Sequence, residues 1–458
     1  MENLKKGQVI EIKIDNIGVE GDGVGRIEDF VVFVKNALPS EKVKAQISSV
    51  HKNFAKAELV EIIESSHFRK DPECPHYKNC GACDFMHIQY YKTLEFKKQF
   101  LFNNLKKIAN IDFPKENIEI IGAENKLYYR NKVLQHVGED KNGNLISGFY
   151  QKGTHHIIEV PNCKIQNSKA NEIFDYIIKK ANQLNIEPYD RKSKKGYLKQ
   201  IGYRYSPRTQ KFMLIFVTNT DNKKPLKKLV QSIEFKFGNI ASIYMSVAGK
   251  DKDTLSNKNI LLSGKQYLDI YLGKAIYKLL PDTFFQINSE QAEVMFKKIM
   301  SYLPFERLDT IWDLYGGVGA ISFFLASEFR KILMFERNKN SIKIAKVNKK
   351  INFATNVEIV QADLDNCSFS EYEKPDVVVM DPPRSGVSQN IIDMLNRVKP
   401  KKIIFVSCDT ATLARDMNKL KENYSIKKLS ITDMFPQTHH VETVGMLERK
   451  EVLWMKKN

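Results

Sequence analysis

At 458 residues the chain is long enough for roughly three domains of about 150 residues each. Its net charge of +18 and isoelectric point near 9.3 favour a polyanionic partner such as a nucleic acid over a neutral metabolite. No apolar run approaches the roughly 18 residues a membrane span needs, and no apolar leader follows Met1, so a cytoplasmic protein is expected. The six cysteines (74, 80, 83, 163, 367 and 408) do not make a secreted disulfide framework in so long a chain, and their clustering points to a metal or to catalysis.

Residues 8–14 alternate so that Ile10, Ile12 and Ile14 share one face, and short strand-like runs follow at 31–34, 43–47 and 55–63. With Gly18, Gly21, Gly23 and Gly25 in the turns, this predicts a small, tightly curled β-barrel. The segment resembles a TRAM domain, a small RNA-binding barrel. Next stand Cys74, Cys80 and Cys83, with Cys163 far downstream. Four thiolates suit one metal centre, either zinc or an iron–sulfur cluster, and Gly81 is expected to let the backbone turn close to it. His76 and His87 read as ordinary loop histidines.

A Lys-rich amphipathic helix is predicted over about 90–110, strands within 127–160 broken at Asn142-Gly143-Asn144, a helix over about 167–185, and strands at 196–205 and 211–218. The middle of the chain is therefore α+β. Its basic runs, Arg191–Lys195 and Lys223–Lys228, read as solvated faces. Asn288-Ser-Glu-Gln291 has the form of a helix start, followed by a core stripe from Ala292 to Leu303. Just upstream, Gln286 lies between apolar residues. A buried amide needs partners, so it is either a satisfied core glutamine or a ligand contact.

Thr310–Leu325 reads as strand, glycine turn and helix, with Gly316, Gly317 and Gly319 allowing close backbone approach to a ligand. Twenty residues beyond Gly316, Glu336 ends a second strand, where a carboxylate accepts ribose hydroxyls. The pattern of a dinucleotide site is absent. Instead Asp363 ends a third strand, near where an adenine would lie, and Asp381 stands at the mouth of a fourth. The alternation from about residue 305 predicts a doubly wound sheet. In such sheets ligands bind at the carboxyl ends of the strands, so Cys408, at the end of the apolar run Lys402–Ser407, is expected to face substrate.

The motifs Phe284-Phe-Gln-Ile-Asn288, Asp313-Leu-Tyr-Gly-Gly-Val-Gly319, Asp381-Pro-Pro-Arg-Ser-Gly386, Ser407-Cys-Asp409, Thr412-Leu-Ala-Arg-Asp416 and His440-Val-Glu-Thr-Val444 together resemble the S-adenosylmethionine-dependent 5-methyluridine RNA methyltransferases over nearly the whole chain. The resemblance implies an α/β fold with residues 281–458 as a Rossmann-like class I methyltransferase domain. Residues 1–63 would be the TRAM-like barrel and 64–280 a central α+β domain. It implies Cys408 as nucleophile and Glu442 as base. Gln286, Tyr315, Gly316, Glu336, Asp363 and Asp381 become cofactor or substrate contacts, and Cys74, Cys80, Cys83 and Cys163 the ligands of a 4Fe–4S cluster in preference to zinc. The cluster, lying in another domain than Cys408, is expected to be structural. One departure is Asp409, where the family more often has Asn, and an extra carboxylate beside the thiol is expected to raise its pKa.

The chemistry implied is transfer of a methyl group to carbon 5 of a uridine. Barrel and cluster together favour 23S rRNA over tRNA, by analogy alone, and no obligatory protein partner is implied. Three other readings compete. An amino-group methyltransferase would carry an aromatic residue where Arg384 stands. A cytosine-5 methyltransferase shares the thiol chemistry and differs in the base attacked. A non-enzymatic RNA-binding protein would have no need of both Cys408 and Glu442.

Overall fold

The computed structural model describes residues 4–248, 255–256, 258–303 and 310–451, so the expected outer limits at residues 1 and 458 lie outside the described residues. Five strands, Val9–Ile17, Gly23–Ile27, Phe30–Lys35, Lys42–Val50 and Phe54–Glu64, close into a barrel. The alternation read from the sequence buries Ile10, Ile12 and Ile14 inside it, whereas Ile17 packs outside the barrel against Leu38, Phe68 and Phe85. Glycine is required where the barrel curls: a Cβ on Gly25 would stand 2.3 Å from the Lys13 carbonyl oxygen. The barrel is tied to the adjoining segment by buried Glu41, which accepts from Arg69 Nε at 2.5 Å and Nη2 at 2.8 Å and from the Leu38 amide at 2.8 Å.

A second sheet of seven strands runs in the order Asn259–Gly264, Ile240–Val247, Lys211–Thr218, Leu198–Ser206, Lys132–Glu139, Leu145–Tyr150 and Ile157–Glu159. Helices Ser168–Gln183 and Lys227–Lys236 cover one face through Ile173, Phe174, Ile177, Leu229 and Ile233. The first of them starts where expected, with Asn167 accepting from the Lys169 amide. The opposite face carries Met213, Ile215 and Val217 into one core with Met295, Phe296 and Ile299 of helix Ser289–Tyr302.

The third sheet has eight strands in the order Val357–Gln361, Lys331–Glu336, Thr310–Leu314, Val377–Met380, Lys402–Ser407, Glu442–Arg449, Tyr424–Thr432 and Ile118–Ile121. The first five are parallel and Glu442–Arg449 runs against them. Both Thr310–Leu314 and Val377–Met380 are buried at every position, as strands covered on two faces must be. The order reverses beside Thr310–Leu314, which makes that edge the topological switch point.

Two features depart from the sequence reading. Ile118–Ile121 joins this eight-stranded sheet in parallel with Tyr424–Thr432, so the sheet draws a strand from well before residue 281. The helix expected over 90–110 ends at Asn104 and continues as a wider turn over Leu105–Ala109, closed by Asn110 at φ +51°. Its Lys97 is not solvated. It is fully buried and meets fully buried Asp433 at 2.6 Å, a pair whose loss of one partner costs about 3–5 kcal/mol. Among the described residues no helix is long and apolar enough to cross a membrane.

Candidate active site

Strand register assembles the site. Leu314 pairs with Phe335 and with Met380, and Met380 with Phe405, so Tyr315, Glu336, Asp381 and Cys408 all stand at or one step beyond the carboxyl ends of neighbouring strands. Ser407 pairs with Thr443 across the antiparallel edge. Cys408 directly follows Ser407 and Glu442 directly precedes Thr443, so both stand at the same end of this strand pair. Gln286, Tyr315, Gly316, Glu336, Asp381, Cys408 and Glu442 thus line one cavity of about 440 Å3, together with Phe284, Arg384, Phe435 and His440. Asp363 lies in an adjoining cavity of about 400 Å3 that shares Tyr315, Glu336 and Pro383 with the first.

The glycine turn is held tight by the protein's own packing. A Cβ on Gly316 would strike Met334 Cγ at 2.3 Å, and Tyr315 itself holds φ +64°, a conformation that non-glycine residues adopt only where the surroundings impose it. Glu336 is fixed by the Gly317 amide on Oε2 at 2.9 Å and the Asn338 amide on Oε1 at 2.5 Å. Beneath the turn, fully enclosed Asp313 accepts from Ser322 N at 3.1 Å and Oγ at 2.5 Å, and burial pushes its carboxyl up to about 7. A carboxylate at the second strand end, an open glycine turn and a long groove suit S-adenosylmethionine.

Burial pushes the Cys408 thiol up to about 11, the facing Glu442 adds to the shift, and the Arg384 guanidinium opposes it. Glu442, buried at the start of its strand, is held well above the usual carboxylate range by burial and then by Asp381, again against Arg384. Burial raises Asp381 to about 6, and Gln286 Nε2 donates to its Oδ2 at 3.4 Å. In the free protein the thiol is therefore protonated near neutral pH, and the Glu442 carboxyl keeps its proton to higher pH than a free carboxylate. Arg384 is the cation that favours their charged forms.

Asp409 does not burden the thiol as expected. Its Oδ1 turns away to cap helix Thr410–Leu420, accepting from Ala411 N at 3.0 Å and Thr412 N at 2.8 Å, and the charges that raise Cys408 belong to Glu442 and Asp381. Reactivity should follow. Peptide-mapped alkylation of Cys408 by iodoacetamide is expected to rise about tenfold per pH unit from 7 to 10, whereas a thiol of ordinary pKa levels off near pH 9. A plateau below pH 9 would contradict this placement.

Other parts of the chain hold the walls. Asn131 Nδ2, from the segment entering the second sheet, donates to the Gln286 carbonyl at 2.9 Å and to Ser289 Oγ at 2.7 Å. Buried Arg204 donates to the carbonyls of Pro281 and Thr283, just before Phe284. Sequence reading assigned neither residue. Arg204 is a charged side chain within the buried strand Leu198–Ser206, a signal the sequence did carry, whereas Asn131, between Arg130 and Lys132, gave none.

Cys74, Cys80, Cys83 and Cys163 come together in one packed cluster with Tyr77, Met86 and Tyr129. They are not drawn into a closed ion site: among the described residues no group of three or more His, Cys, Asp or Glu side chains forms one. Burial raises the thiols of Cys83 and Cys163 and pushes Cys80 up to about 11. Beside Cys83 and Cys163 lies the Arg130 guanidinium, whose buried Nε has no partner. An anionic thiolate-held group fits that donor set, since it neutralises the cation and gives the orphaned N–H an acceptor. Gly81 is needed for another reason than the one expected. A Cβ there would stand 2.9 Å from the Tyr150 carbonyl oxygen. His87 is buried and bonded through Nδ1 to Tyr77 OH at 2.6 Å.

A parallel sheet with its switch point at the glycine turn, an acidic second-strand end and the antiparallel strand Glu442–Arg449 beyond Lys402–Ser407 defines a class I S-adenosylmethionine-dependent methyltransferase. The family model described as tRNA (Uracil-5-)-methyltransferase matches residues 89–450 and the TRAM domain model residues 3–60. The chain belongs to the tRNA (uracil-5-)-methyltransferase family and is an S-adenosylmethionine-dependent RNA methyltransferase. It is 38% identical over 452 residues to an uncharacterized RNA methyltransferase of Clostridium acetobutylicum, covering 97% of this chain and 98% of that protein. It is 34% identical to another from Caldanaerobacter subterraneus, covering 98% and 100%. Among solved structures it is similar to the Pyrococcus abyssi tRNA (uracil-54, C5)-methyltransferase in complex with S-adenosyl-L-homocysteine, with a TM-score of 0.79 and 25% identity over 96% of this chain and all of that one.

Proposed function

We propose that this enzyme methylates carbon 5 of a uridine in 23S rRNA through a covalent bond between Cys408 and carbon 6 of the base. The observation that carries the reading is that Cys408 and Glu442 line one cavity with Asp381 and Arg384. S-adenosylmethionine, when bound, supplies an electrophilic methyl group. Glu336 holds the ribose hydroxyls, Asp363 faces the adenine, and Tyr315, Gly316, Gln286 and Asp381 line the remainder of the groove.

Carbon 5 of uracil is too weak a nucleophile by itself. The Cys408 thiolate adds to carbon 6, and the electron pair of the C5–C6 double bond moves toward carbon 5 and O4 as an enolate. Arg384 favours formation of that thiolate. Carbon 5 takes the methyl group as the methyl–sulfur bond of the sulfonium breaks and S-adenosylhomocysteine leaves, and carbon 5 then carries both methyl and proton. Glu442, as carboxylate, removes the proton, the C5–C6 double bond reforms, and the thiolate is expelled. The base must reach the cavity face-on, so it is taken from a loop or flipped from its stack.

A tRNA target is the second reading, favoured by the likeness to the Pyrococcus abyssi enzyme. Mapping 5-methyluridine in rRNA and tRNA from cells lacking the gene decides between them. Loss from 23S rRNA is the expected result, and loss from tRNA alone would transfer the substrate.

We also propose that Cys74, Cys80, Cys83 and Cys163 hold a 4Fe–4S cluster, with zinc as the alternative. What supports it is the gathering of the four thiols around the unpartnered Arg130 Nε. Protein prepared without oxygen is expected to be brown and to contain iron and acid-labile sulfide. Elemental analysis giving one zinc and no iron would overturn the assignment.

A further inference from the structure

Glu442 follows a turn, residues 433–441, that hangs from parts of the chain outside the methyltransferase strands. Lys97 Nζ donates to Asp433 Oδ1 at 2.6 Å and to the Phe435 carbonyl at 3.3 Å. Tyr129 OH donates to the Pro436 carbonyl at 3.0 Å. The amides of Asp84 and Phe85 both donate to the Gln437 carbonyl at 3.0 Å, and Asp84 Oδ2 bonds to His439 Nδ1 at 2.7 Å. Gln437 holds φ +68°, a conformation that a glutamine keeps only where neighbours impose it. Asp84 directly follows Cys83, and Tyr129 packs against the four cysteines. The next residues along, His440 and Glu442, line the catalytic cavity.

We infer that the cysteine loop positions the catalytic turn, with Asp84 and His439 as a positioning pair that sets Glu442 over the methylated base. The inference rests on the covalent reading given above. The turn carries a strained residue whose carbonyl is held by the cysteine loop, so releasing His439 from Asp84 lets the turn relax and displaces the base. Cys408 stands one residue beyond strand Lys402–Ser407 and the Gln286 carbonyl is held by Asn131, so neither touches the Asp84–His439 pair. The defect should therefore be confined to the last step, loss of the carbon-5 proton with expulsion of the thiolate. A cluster otherwise expected to be purely structural thereby reaches the reacting groups.

The test is a single-turnover time course of full-length protein with S-adenosylmethionine and target RNA, read as protein–RNA adduct on denaturing gels. In Asp84→Ala the adduct is expected to form at nearly the wild-type rate and to resolve about 10–100-fold more slowly, the scale of a misplaced reacting group. Affinity for S-adenosylhomocysteine should stay within about twofold of wild type, because its groove lies on other elements. Asp84→Asn keeps an acceptor for His439 and should restore most of the rate. His439→Ala, outside the cysteine site, should reproduce the slow release and serves if Asp84→Ala does not fold. Wild-type release in both alanine variants would overturn the inference, as would equal loss of adduct formation, release and cofactor affinity. If wild-type protein forms no adduct at all, the covalent reading fails first and this inference falls with it.

Discussion

Cys408→Ala is expected to abolish both adduct and product, with turnover reduced by at least about 10^4-fold, the scale on which removal of an enzymatic nucleophile acts. No other route is open to the same chemistry in this cavity, because the methyl acceptor carbon becomes nucleophilic only after addition at carbon 6. Affinity for S-adenosylhomocysteine should be unchanged, since Glu336 is held by the amides of Gly317 in the glycine turn and Asn338 at a helix start, away from Cys408 in the chain. RNA carrying 5-fluorouridine at the target should trap wild-type protein irreversibly, because fluorine does not leave as a proton does, and peptide mapping should find the bond on Cys408. Turnover by the alanine variant, or a bond on another residue, would sink the assignment.

Glu442→Gln is expected to lower turnover by about 10^2- to 10^4-fold, the range for loss of a general base, and to do so after methyl transfer. The amide keeps the size of the side chain but takes no proton, so methylated adduct accumulates on ordinary RNA. Protonation complicates the wild type in an instructive way. Burial and Asp381 hold Glu442 well above the usual carboxylate range, so its carboxylate fraction still grows where a free carboxyl is already ionised, and release of adduct should speed up as pH rises. The amide variant lacks that group and should show slow release with no such dependence. Rapid release by Glu442→Gln would assign the base elsewhere, to Asp381 or His440.

Much of this is legible in the sequence because the responsible signals are local. An apolar run stopping at Ser407-Cys408, a carboxylate closing the strand Lys331–Glu336 and a glycine turn after Thr310–Leu314 each report a strand end, and parallel strands put their carboxyl ends on one edge. The alternation of Val9–Ile17 likewise reports one buried face and hence a curled sheet. Asp409 misleads although it adjoins the thiol, because neighbours in sequence at a helix start point in different directions. Its side chain caps Ala411 and Thr412.

By itself, then, the sequence determined which residues end the strands, which thiols cluster and that the chain carries an RNA-sized excess of positive charge, since period, composition and motif spacing act over a few residues. Only the tertiary structure decided that Ile118–Ile121 completes the methyltransferase sheet, that Lys97 buries its charge against Asp433 and that Asp84 holds His439. Those contacts join segments separated by 336 and 355 positions in two of the three cases. Their partners are chosen by which surfaces meet when the sheets pack, and no periodicity along the chain encodes that choice.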